Sequence, residues 1–183
     1  MKDVSNPVSI AWLEAGGIAG RGVLLDYLSY AQAKGKEYKQ VGSDHAITVE
    51  ELQACAAHQG TEIRYGDILI VRSGYWHTYN QLSHEERLAW CDGKSITHVG
   101  VQPSRDMAKW LWDSGISACA GDAVGWEAMP PKPGLGLDND HILHEVMLAG
   151  WGMPIGEFST SFIGLREVLT LSRRRAVELG GIG

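Results

Sequence analysis

At 183 residues the chain has the length of one domain, and with 44% of them apolar it can build a hydrophobic core. Sixteen Lys and Arg against 22 Asp and Glu leave a net charge of −6, which argues against nucleic acid as a partner, because phosphate binding draws its affinity from Lys and Arg. No apolar run approaches the roughly 20 residues of a bilayer span, and the first residues hold no signal-peptide core, so a soluble, cytoplasmic chain with no membrane partner is expected.

Taken in order, the glycine-dense stretch Gly16-Gly17-Ile18-Ala19-Gly20-Arg21-Gly22 leads into Val23-Leu24-Leu25-Asp26. It follows neither G-x-G-x-x-G nor the Gly-Lys-Ser/Thr form of a phosphate cradle, and reads as a tight turn into a buried strand. Tyr27 to Lys34 continues as a short helix and Gly35 to Ser43 as an exposed loop. Thr48-Val49-Glu50-Glu51 has the form of a capping box and opens a helix that stops near Gly60. The run Gly66-Asp67-Ile68-Leu69-Ile70-Val71-Arg72-Ser73-Gly74 is almost continuously apolar between glycines, the pattern of a central strand covered on both faces. Just beyond it, Trp76, His77 and Tyr79 are candidates to line a pocket for an aromatic or apolar substrate.

Ser83 opens a further helix, and His98-Val99-Gly100-Val101 is a short strand. Ser104 caps a helix through Met107, Ala108, Leu111 and Trp112 that ends near Gly115, with Trp110 and Trp112 assigned to packing. Ile116 to Asp122 is a buried strand, and Arg72 and Asp122 at the two strand ends are expected either to form an ion pair or to orient a substrate or a ligand-bearing loop. Met129 to Gly136 is irregular. A helix starting at Asp138 or Asp140 carries His141 and His144, and a last helix runs from about Phe162 to Leu179. Its Arg173-Arg174-Arg175 run, the one basic cluster, reads as a solvated face. Alternating strands and helices indicate an α/β fold, with no repeat and no interdomain linker.

Cys55, Cys91 and Cys119 are odd in number and far apart, with no C-x-x-C pair, which excludes a zinc knuckle or a redox motif and leaves reduced thiols. No G-x-S-x-G elbow is present, so a serine triad has no support. His141 and His144 lie three apart and share a helix face, but Asp140-His141-Ile142-Leu143-His144-Glu145 is not H-E-x-x-H. Glu157, in Pro154-Ile155-Gly156-Glu157, is a carboxylate in an apolar strand context and needs a partner: a metal, an arginine or a proton. A helix-borne imidazole and a strand-end carboxylate can converge on one divalent cation, which makes His144 and Glu157 the candidate metal ligands.

In this order, the segments Gly20 to Asp26, Gly66 to Gly74, Ala120-Gly121-Asp122 and His144 to Glu157 resemble the cyclase family, which includes the metal-dependent kynurenine formamidases (arylformamidases). The resemblance runs from about residue 16 to 179. It implies an α/β fold of the swivelling β/β/α kind and hydrolysis of small amides or esters, such as N-formylkynurenine, by a water activated on Zn or Mn. By motif, His144 matches the family's C-terminal histidine ligand and Glu157 its carboxylate ligand, while His141 has no counterpart. Asp122 and Arg72 match motif positions without an assigned role. Family members carry an earlier His-x-x-x-His-x-Asp type motif; here the first histidine is His45, and the family's segment after the last helix is not recognisable either. The expectation is a single cyclase-like domain over residues 1–183 that is an incomplete version of the fold, a fragment lacking part of its metal cage.

Two functional readings follow. The first is a metal-dependent hydrolase in which His144 and Glu157 hold the cation and Trp76 and His77 contact the substrate. Because a catalytic zinc takes three protein ligands, two chains pooling ligands across a homodimer would complete the count. The second is a non-catalytic remnant or interaction module. Metal content separates them.

Overall fold

A computed structural model of the chain describes residues 16–90, 97–132 and 142–157. Within them the elements are β1 (Gly22–Leu25), α1 (Tyr27–Ala33), β2 (Ala46–Ile47), α2 (Val49–Gln59), β3 (Ile68–Val71), α3 (Tyr75–Tyr79), α4 (His84–Trp90), β4 (Gly100–Val101), α5 (Arg105–Asp113), β5 (Ala118–Gly121), a π-helical turn (Glu145–Gly150) and β6 (Ile155–Gly156). Strands alternate with helices, and the expected α/β class is what is found. His141, Cys91, the start of the helix at Asp138 or Asp140 and the last helix with its arginine run lie outside the described residues.

Four strands form a parallel sheet in the order β1-β3-β5-β6. β3 lies inside it, with Leu25 level with Val71 and Val71 with Gly121, and Leu69, Ile70 and Val71 are all buried. Such a strand needs apolar side chains on both faces, which is why its sequence does not alternate. The core joins Val23, Leu25, Leu69, Val71 and Cys119 of the sheet to Leu52 and Cys55 of α2, Met107 and Leu111 of α5, and Leu143 and Met147. Cys55 and Cys119 are free buried thiols.

The helix ends follow from local chemistry. Thr48 accepts a hydrogen bond from the Glu51 amide while the Glu51 carboxylate accepts one from the Thr48 amide, and the left-handed Gly60 closes α2. Ser104 caps α5 by accepting from the Met107 amide. Among the described strands β1 is at the edge of the sheet, where its polar groups need partners. Gln59, the last residue of α2, supplies them: its amide donates to the Leu24 carbonyl (2.8 Å) and its oxygen accepts from the Asp26 amide (2.7 Å).

A second, two-stranded parallel sheet pairs β2 with β4. Bridges extend it: Val101 aligns with Glu127, and His98 with Met129 on one side and Val41 on the other. The segment 126–129 is thereby strung beside 98–101 through four backbone hydrogen bonds: Val101 N to Trp126 O (3.0 Å), Ala128 N to Val101 O (2.8 Å), and reciprocal bonds between His98 and Met129 (3.1 and 3.0 Å).

Two expectations are corrected. Arg72 does not pair with Asp122; its guanidinium turns to the β1 side and binds Asp26 at 2.7 Å. Asp122 instead accepts from the Ser73 amide (2.6 Å), the Ser73 hydroxyl (2.7 Å) and the Gly74 amide (2.9 Å), satisfying the backbone where β3 turns into α3. Burial pushes the Asp122 pKa up, and these donors and the Arg72 charge work against that rise. Trp110 packs against the core as expected, but Trp112 is 62% exposed, its ring resting on Trp151 with centroids 5.2 Å apart.

Candidate functional site

In a parallel sheet the carboxyl ends of the strands share one edge, where α/β proteins place their sites. β3 delivers Arg72 and the start of α3 there, β5 delivers Asp122, and β6 delivers Glu157. The chain after β5 then turns through Gly125 and Trp126 into Glu127, which belongs to the second sheet's ladder. That ladder is tight: a Cβ on Gly100 would lie 2.3 Å from the Glu127 carbonyl carbon, so only glycine admits this approach.

The His144 imidazole lies between two carboxylates. Its Nδ1 is 2.6 Å from Glu127 Oε1, and its Nε2 is 2.6 Å from Glu157 Oε1. Glu127 also accepts from the Leu143 amide at 2.6 Å and the His144 amide at 3.0 Å, so one side chain caps the turn that carries His144 and holds its ring. Glu157 accepts in addition from the Trp126 amide at 3.0 Å. Beyond His144 the chain winds as a π-helix, closed by the Trp151 amide donating to the Val146 carbonyl; such turns recur at functional sites.

The electrostatics follow from this packing. Glu127 is 1% exposed, and among the described residues neither carboxylate is paired with Lys or Arg. The hydrogen bonds to Glu127 and then to Glu157 push the His144 pKa up to about 9. The same contact with His144 pulls Glu157 below the usual carboxylate range. The imidazolium is therefore the local countercharge, with both ring protons donated to carboxylates.

A second imidazole borders the site. His98 is 6% exposed and its Nδ1 lies 3.4 Å from the Val99 carbonyl. Its other edge packs directly over Gly125: a Cβ there would lie 2.7 Å from His98 Cε1, 3.1 Å from His98 Nε2 and 3.6 Å from Glu157 Oε1, so only glycine admits the ring. Burial holds the His98 pKa below the ordinary histidine value, which keeps the ring neutral at pH 7.

The structure thus brings His144 and Glu157 together, as their chemistry anticipates. Trp76 and His77 stand on α3, which leaves the same sheet edge. Trp76 packs edge-on against Tyr79 (centroids 5.3 Å) in a small aromatic cluster with Tyr75 and Trp90, and the exposed His77 meets the Gln81 side chain at 3.2 Å. Glu127 and His98 escape a reading of sequence motifs. The usable signal for Glu127 is the one that singles out Glu157: an acid in an apolar run, Val124-Gly125-Trp126-Glu127-Ala128-Met129, that needs a partner.

An imidazole nitrogen and a carboxylate oxygen that already meet, with the other ring nitrogen tied to a buried carboxylate, form a donor set suited to Zn²⁺ or Mn²⁺. Among the described residues no group of three or more His, Cys, Asp or Glu converges closely enough to hold the ion alone. No helix among them is long and apolar enough to cross a membrane.

Comparison with known proteins bears on the same segments. The Cyclase family model matches residues 4–128, which takes in the glycine-rich entry to β1, β3 with its flanking glycines, Asp122 and Glu127, and stops short of His144. Among solved structures, a crystal structure of a novel cyclase is 25% identical with a TM-score of 0.55, the match covering 78% of this chain and 40% of that one. This chain therefore spans less than half the length of that structure. A search of curated proteins found no match.

Proposed function

Since this chain belongs to the cyclase family, we propose that it acts as a metal-dependent hydrolase of small amides or esters, of the arylformamidase type. The observation that carries this reading is the Glu127–His144–Glu157 line, with 2.6 Å contacts on both sides of one imidazole. His144 Nε2 and the Glu157 carboxylate are the groups that would hold Zn²⁺ or Mn²⁺. When bound, such an ion supplies Lewis acidity at the scissile carbonyl and makes a water a competent nucleophile near neutral pH.

The chain's own residues supply the rest. Two buried or half-buried carboxylates around one imidazole make a pocket of excess negative charge that favours a cation. In the absence of metal the His144 proton fills that role. Over Gly125 the His98 ring closes down beside Glu157, an approach that any side chain at 125 would block, so the glycine lets a second imidazole border the ligand pair. In this reading Trp76 and His77, at the same sheet edge, form the aromatic side of the substrate pocket. A catalytic zinc takes three protein ligands and an open position, so one donor beyond His144 and Glu157 is required, which a second copy in a homodimer would supply.

The test is hydrolysis of aryl formamides by the purified chain with Zn²⁺ or Mn²⁺ added, together with its metal content. Turnover is expected in the parent, with a loss of at least ~10²-fold in His144→Ala and Glu157→Ala, and Trp76→Ala is expected to raise KM more than it lowers kcat. Turnover unchanged in both ligand variants would overturn the assignment. Absence of metal binding and of turnover in the parent would favour the non-catalytic alternative.

A further inference from the structure

We infer that Glu127 is the positioning residue of the metal ligand His144: it fixes the ring's orientation and its Nδ1–H tautomer, and so sets how tightly Nε2 can bind a cation. The inference rests on the metal-site reading above and adds to it a group outside the ligand pair. Three observations carry it. Glu127 is 1% exposed, so its carboxylate has no water to share and acts wholly on its protein neighbours. Both its oxygens are used on one target, the first turn of the segment bearing His144: Oε2 accepts from the Leu143 amide, and Oε1 from both the His144 amide and the His144 ring. Its backbone is itself held by the second sheet's ladder, between Trp126 and Ala128, both bonded to Val101.

The chemistry of that arrangement is specific. A neutral imidazole has one N–H and one lone pair, and the partner of the first decides where the second points. A buried carboxylate at Nδ1 selects Nδ1–H, leaving the Nε2 lone pair on the side where Glu157 waits. The negative charge behind Nδ1 also raises the donor strength of Nε2, as outer-shell carboxylates do for histidine ligands. A purely structural cap would need only an acceptor for the two amides. The 2.6 Å contact to the ring is the part that concerns the metal.

Glu127→Gln removes the charge and keeps part of the cap: with its oxygen at the Oε1 position the amide still accepts from the His144 amide and ring, while its NH2 faces the Leu143 amide and cannot accept from it. Zinc affinity of the full chain, measured by competition with a chromophoric chelator, is expected to weaken about 10- to 100-fold in Glu127→Gln. Thermal stability without metal should fall less than in Glu127→Ala, since Glu127→Gln deprives only the Leu143 amide of its acceptor and Glu127→Ala deprives both the Leu143 and the His144 amides. In the zinc-loaded parent, ¹⁵N correlation spectra should show His144 as a single Nδ1–H tautomer whose proton carries the downfield shift of a hydrogen bond to a carboxylate, a shift that Glu127→Gln reduces. Unaltered zinc affinity in Glu127→Gln, alongside its loss in His144→Ala, would overturn the inference and leave the metal site standing. Unaltered affinity in His144→Ala as well would overturn both.

Discussion

An imidazole held between two acids has a pH dependence whose sign can be worked out. His144 has a folded pKa of about 9 against an ordinary 6.5, so its contribution is fully present below pH 6.5 and is lost as pH rises through about 9. Glu157 is shifted the other way: its contribution is present above its ordinary 4.5 and is lost as pH falls through its lowered folded value. The pair therefore stabilises the metal-free protein most between about pH 4.5 and 6.5. We expect the stability difference between the parent and His144→Gln, measured by urea unfolding in the presence of a chelator, to shrink by up to about 3 kcal/mol from pH 6 to pH 10. A difference that stays constant over that range would show that His144 is not the countercharge. His144 and Glu157 were legible in the sequence because each stands in a recognisable local pattern, a helical turn and a strand end. Glu127 was not, since its role comes from a partner seventeen residues away that no periodicity marks. Arg72 shows the same limit: the strand order puts Asp26 and Asp122 on either side of it, and Asp26 receives the guanidinium because Asp122 is taken up by the Ser73 and Gly74 donors.

Elements whose signals are local were read well, and those made by pairing were not. The capping box at Thr48, the Ser104 cap and the apolar β3 all follow from a few consecutive residues, and the structure has each of them. β2 and β4 are two residues long, too short to show alternation, and the bridges that bring His98 and Glu127 beside each other leave no trace in composition. What the sequence does carry of this ladder is one glycine. Gly100→Ala would put a methyl group 2.3 Å from the Glu127 carbonyl carbon and 2.5 Å from the Ala128 nitrogen, backbone atoms that cannot rotate away. We expect a loss of about 1–3 kcal/mol in unfolding free energy from this overpacking, accompanied by weaker zinc binding as Glu127 is displaced from His144. Thr48→Ala makes the comparison: loss of the α2 cap should cost about 1 kcal/mol with zinc affinity unchanged, because that cap lies elsewhere in the chain. Equal effects of the two substitutions on zinc affinity would mean that global loosening, not the ladder, governs the site.

At the scale of the molecule the site is a junction. Glu157 hangs from the four-stranded sheet through β6, Glu127 from the second sheet through its ladder, and His144 from the turn between them, whose Leu143 and Met147 are fully buried in the core. On the proposed reading, a cation held by His144 and Glu157 would tie these parts together and bind the folded chain alone, because the unfolded chain does not hold the two donors in register. Linkage then fixes the size of the effect: free zinc at a hundred times its dissociation constant adds about 2.7 kcal/mol to stability. For a chain of this length that corresponds to a rise of roughly 5–10 °C in Tm. The rise should vanish on adding a chelator and be absent from the His144→Ala, Glu157→Ala double variant, and Glu127→Gln should need about 10- to 100-fold more zinc to reach it. Scanning calorimetry across a zinc series reads all three curves. A Tm that climbs equally in the double variant would place the bound zinc elsewhere on the acidic surface and remove the junction from the account of this protein's stability.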